Sequence, residues 1–89
     1  MSINMPEDLK KLIEEITMNK LGTIKGKMET LSFVDSVIEE LKRRGITLND
    51  DIEAMARPYV VDILWSLRKR GIVNMDEDLL HFSLAKQES

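Results

Sequence analysis

The chain has 89 residues, 43% of them hydrophobic, a net charge of −3 and no cysteine. This describes one small domain with a modest core, and it excludes disulfide staples and thiolate metal sites. It also denies nucleic acid any bulk electrostatic attraction. No apolar run is long enough to span a bilayer, and Met1 to Lys11 lacks the apolar stretch of a signal peptide, so the expected location is cytoplasmic.

Residues Met1 to Met5 are expected to fray. Pro6 then opens a helix whose positive end receives Glu7 and Asp8. Leu9, Leu12, Ile13 and Ile16 make its apolar stripe, and Gly22 ends it. Residues 23–27 read as a flexible connector: Gly22, Lys25, Gly26 and Lys27 lack the spacing of a phosphate-binding loop. A second helix is predicted from Ser32, or from Thr30 a turn earlier, with Ser32 and Asp35 as a capping pair. Val34, Val37, Ile38 and Leu41 form its inner face, and Gly45 is its stop.

Ile46, Thr47 and Leu48 favour an extended conformation and predict a short strand. Asn49 is a good cap for a short helix beginning with Asp50, Asp51 and Glu53. A turn and a longer helix from Arg57 to Arg70 are predicted next, with Pro58 in the first turn. Val60, Ile63, Leu64 and Leu67 face inward, Arg68, Lys69 and Arg70 complement the dipole, and Gly71 ends the helix. Ile72–Met75 and Leu80–Leu84 read as strands, joined through the turn-forming Asp76, Glu77 and Asp78. Ala85–Ser89 is a polar tail.

Leu64, Leu67, Gly71, Ile72 and Val73 are similar to the end of a recognition helix running into a first wing strand. Thr47, Asp50 and Ile52 are similar to the approach to the preceding helix. On these residues the stretch from Met28 to Leu84 resembles the winged helix-turn-helix superfamily. The resemblance implies a mainly α fold with a small β-hairpin and an extra N-terminal helix. Residues 1–27 would be that helix and its connector, packed on the domain or dimerising it; 28–84 would be the winged-helix domain, and 85–89 the tail.

In that superfamily the long helix enters a DNA groove and the wing meets the backbone. The resemblance makes Arg57, Tyr59, Ser66 and Lys69 the candidate nucleic-acid contacts. Against this, Ile46–Leu84 carries four basic residues and seven acidic ones, a handicap on a surface that must neutralise phosphates. Val61 and Trp65 lie off the centre of the apolar face. They are expected to pack on the N-terminal helix or, with Leu9, Leu12 and Ile16, to form a partner interface. His81, the one histidine, has no nucleophile-and-base set around it. The acidic run lacks calcium-loop spacing, so neither catalysis, cofactor nor metal is expected. The reading is therefore a non-enzymatic module acting through protein contacts, as a homodimer or with another protein, plausibly an accessory subunit or adaptor in DNA or RNA machinery. The alternative is a sequence-specific DNA-binding regulator.

Overall fold

A computed structural model describes residues 5–85. The order is α1 (Glu7–Leu21), β1 (Met28–Glu29), α2 (Thr30–Arg43), α3 (Asp50–Lys69), β2 (Val73–Met75) and β3 (His81–Leu84). The chain is mainly helical, with one small antiparallel sheet ordered β1-β3-β2. Residues 1–4 of the stretch expected to fray, and 86–89 of the polar tail, lie outside the described residues; Met5 is buried, 7% exposed.

The hairpin forms as the strand patterns predict, with Val73 opposite Leu84 and Met75 opposite Phe82. A third strand joins it from far away in sequence: Met28 pairs with Phe82 and Glu29 with His81. The Thr30 N–H donates to the Leu80 carbonyl at 2.8 Å, which fixes the start of α2 against the hairpin. Phe82, fully buried on the central strand, meets the ring of Phe33 edge-on at 5.2 Å and 84°, a geometry worth about 0.5–1.5 kcal/mol beyond burial. Around that pair pack Ile13 and Ile16 of α1, Val34, Val37 and Leu41 of α2, and Ala56, Val60 and Leu64 of α3, all at most 1% exposed.

Three expectations are corrected. Ile46, Thr47 and Leu48 form no strand; Ile46 and Leu48 turn half-buried onto the core from an irregular loop. α2 starts at Thr30, the earlier of its two expected starts, and Ser32 donates to the Glu29 carboxylate at 2.7 Å instead of capping the helix. α1 stops at Gly22 as expected, with that residue in a right-handed conformation at φ −64°. The largest correction concerns residues 50–69, which form one 20-residue helix and not two separated by a turn. Asn49 caps it as expected, accepting the Ile52 N–H at 2.8 Å. Pro58 lies in its interior and withholds the N–H that the Ala54 carbonyl would otherwise accept. Both residues are exposed, so water can serve that carbonyl, while Ala56 and Val60 on the opposite side are fully buried and hold the helix together. Gly71, at φ +79°, supplies the left-handed turn from α3 into β2.

Candidate functional site

α3 is the axis on which every candidate residue can be placed. Its buried edge is Ala56, Val60, Leu64 and Leu67. One flank faces α1. There the Tyr59 hydroxyl donates to Glu14 Oε1 at 3.0 Å, and Glu14, Met18, Tyr59, Ile63, Ser66 and Arg70 line a shallow groove. Burial, and then the hydrogen bond to the Glu14 carboxylate, push the Tyr59 phenol above its ordinary pKa. The other flank faces α2, where Arg57 binds Asp35 at 2.6 Å and Lys42 binds Glu53 at 3.0 Å.

This geometry separates the four proposed nucleic-acid contacts. Arg57 and Tyr59 lie on opposite sides of α3, roughly 160° apart at 3.6 residues per turn, and each is already engaged by a carboxylate. Ser66 shares the α1 flank with Tyr59. Lys69 is exposed in the last turn beside Arg68 and Arg70, and these three cations have no carboxylate partner among the described residues. The four do not converge on one face.

The proposed partner residues also divide. Ile16 is 1% exposed and belongs to the core, which removes it from any surface. Leu9 and Leu12 are half-buried and line a shallow apolar groove with Ile46, Thr47 and Ile52. Val61 and Trp65 do not pack on α1, as the sequence suggested, because α1 occupies the opposite flank. Val61 leans on the core from the open side. Trp65 is half-exposed and its ring is covered by the Arg68 guanidinium at 5.0 Å from the centroid, an exposed cation–π contact of about 0.5–1 kcal/mol.

Apolar surface that sequence patterning missed borders this open flank. Leu31 is 60% exposed at the start of α2, and Leu79 and Leu80 at the hairpin tip are 45% and 54% exposed. The Thr30–Leu80 hydrogen bond brings the three together. The ion pairs show that α2 and α3 run antiparallel, so Leu31, a turn before Asp35, lies level with Val61, a turn beyond Arg57. Leu79 has φ +61°, a left-handed conformation that glycine or asparagine would adopt at less cost. The signal available in the sequence was the doublet Leu79-Leu80 within a turn, where polar residues prevail.

The acids of that turn have local duties. Asp76 binds Lys27 at 2.9 Å, and its carbonyl accepts the Leu79 N–H. Asp78 accepts the Leu80 N–H at 2.9 Å and lies 3.5 Å from His81; that backbone hydrogen bond is the main reason its carboxyl sits below the usual range. Asp76, Asp78 and His81 bring ligand atoms within 4.8 Å of one another, and the contacts just named account for the cluster. Glu77 is exposed and free of such contacts among the described residues.

No protein-family model, curated protein or solved structure matches this chain. No helix among the described residues is long and apolar enough to cross a membrane.

Proposed function

We propose that this chain is a non-catalytic module of winged-helix type that works by binding protein, as a small accessory subunit or adaptor. The topology supports the winged-helix part: three helices among the described residues, a long third helix ending at Lys69, and a hairpin whose second strand lies between β1 and β2. In this reading α1 is the first helix of the unit and not an addition to it, since its Ile13 and Ile16 are core residues.

The observation that carries the protein-binding part is the exposed apolar surface of Leu31, Leu79 and Leu80 beside the half-buried Trp65, with Leu79 held in a disfavoured backbone conformation. Strain retained at an exposed leucine points to a use for its side chain. The hairpin tip offers a duplex Asp76, Glu77 and Asp78 where phosphate contacts would need cations.

A titration of labelled random duplex at about 150 mM salt tests this. Binding is expected to be no tighter than the roughly 10⁻⁴–10⁻⁶ M of ordinary nonspecific association. Glu77→Lys, which disturbs none of the hairpin's hydrogen bonds, should tighten it. Submicromolar binding by the native chain, lost on Lys69→Ala, would replace this reading with the DNA-binding regulator.

A further inference from the structure

The open flank of α3 carries a stripe that is complementary to itself. Asp51, Ala54, Pro58, Val61, Trp65 and Arg68 are spaced alternately by three and four residues, the period of a coiled-coil seam, and all are exposed or half-exposed. The stripe is symmetric about the midpoint between Tyr59 and Val60. Laid antiparallel against a copy of itself, it places Asp51 opposite Arg68, Ala54 opposite Trp65 and Pro58 opposite Val61. Each layer is matched: acid meets base at both ends, and the smallest side chain meets the largest. The Ala54 carbonyl, deprived of a donor by Pro58, falls in the same layer as the indole of the second copy, which carries an N–H in need of an acceptor.

We propose that the protein partner is a second copy of this chain, docked by antiparallel packing of α3 on α3 about a two-fold axis. This rests on the protein-binding reading above and names its partner. A two-fold contact requires a patch that is its own complement, and the order of charge and size along this stripe meets that requirement. Leu31 borders the seam at the level of Val61 and extends the apolar area. The stripe is about 25 Å long at 1.5 Å per residue, which sets the interface at the small end of specific contacts.

Sedimentation of the full chain over a concentration series tests the proposal, with tryptophan emission recorded in parallel because Trp65 is the one tryptophan. The mass should rise from one chain to two, and the emission should move to the blue over the same range. Asp51→Arg and Arg68→Asp, each made alone, set like charges across both ends and should weaken self-association at least about tenfold. Mixed in equal amounts they should associate again, since each mixed pair restores opposite charges at both ends. Circular dichroism of each variant verifies that α3 is intact, and the mixture shares whatever helix-end cost the single variants carry. A native chain that stays monomeric into the millimolar range overturns the second-copy proposal, leaving the duplex titration to decide the broader reading. Dimerisation unaffected by either reversal, or a mixture that stays monomeric, overturns the α3 seam.

Discussion

Tyr59 and Trp65 sit on one helix, less than two turns apart, in opposite surroundings. Tyr59 is clamped by Glu14 on the flank that α1 covers. Trp65 stands half-buried on the flank that no helix among the described residues covers, with Arg68 laid over its ring. The covered flank spends its side chains on holding the domain together. The open flank carries apolar area that the fold does not use, and this division explains why a helix can be central to stability and still have a face to offer. Under the protein-binding proposal, the residues of that flank that make no ion pair among the described residues are the ones left for another molecule.

The comparison is broken most directly by truncation on each side. Ile13→Ala, at a fully buried position of α1, should cost about 2–5 kcal/mol through lost burial and a residual cavity. Trp65→Ala, at a half-buried position, should cost the monomer less than Ile13→Ala does. Urea denaturation at concentrations low enough to exclude self-association measures both, and equal costs would show that the flanks are not energetically distinct.

A smaller effect sharpens the same contrast. Thr17 lies on α1, fully buried, and its hydroxyl finds no hydrogen-bond partner among the described residues. Thr17→Val keeps the shape and removes the desolvated hydroxyl, so it should stabilise by about 1 kcal/mol. In a domain of this size that raises the melting temperature by roughly 4–8 °C. No rise would mean that water reaches the hydroxyl and that the covered flank is less sealed than it looks.

Tyr59→Phe should have the smallest effect at neutral pH, about 0.5–1 kcal/mol for one hydrogen bond to a carboxylate on a partly exposed side chain. Its pH dependence is more informative. The folded-state pKa lies above the unfolded value, so the contribution is complete below the unfolded pKa and disappears as pH rises through the folded one. Alkaline unfolding monitored by phenolate absorbance, which reports this residue alone because it is the one tyrosine, should show that loss. The Phe variant should lack that component.

Local chemistry made much of this legible in advance. Asn49 announced its cap, Val73–Met75 and His81–Leu84 their hairpin, and Pro6 and Gly22 the limits of α1. What local chemistry could not show depended on distant contacts. Pro58 reads as a helix start because an interior proline costs about 3 kcal/mol; here Ala56 and Val60, sealed into the core, carry the helix through it. β1 is two residues long and exists through its register with Phe82 and His81, more than fifty positions away. Ile46 to Leu48 has strand-favouring side chains but no strand beside it. At the candidate site, the sequence shows Trp65 off the centre of the apolar face, yet what lies beside it follows from where α1 docks. The Tyr59–Glu14 bond, spanning 45 positions, has no local signature.

α3 begins with Asp50, Asp51 and Glu53 and ends with Arg68, Lys69 and Arg70. These charges are usually understood as compensating the peptide dipole at each terminus. Seen from outside, they make the helix a rod some 30 Å long, negative at one end and positive at the other, and about three Debye lengths separate the two ends at 0.1 M salt. If two copies meet side by side as proposed, such rods exert a torque on one another that favours the antiparallel arrangement before any atoms touch. Added salt shortens the reach of that torque, so it slows the forming of a pair far more than it hastens the parting. The sensitivity of this protein to ionic strength should therefore be felt as a rate of meeting rather than as a strength of holding.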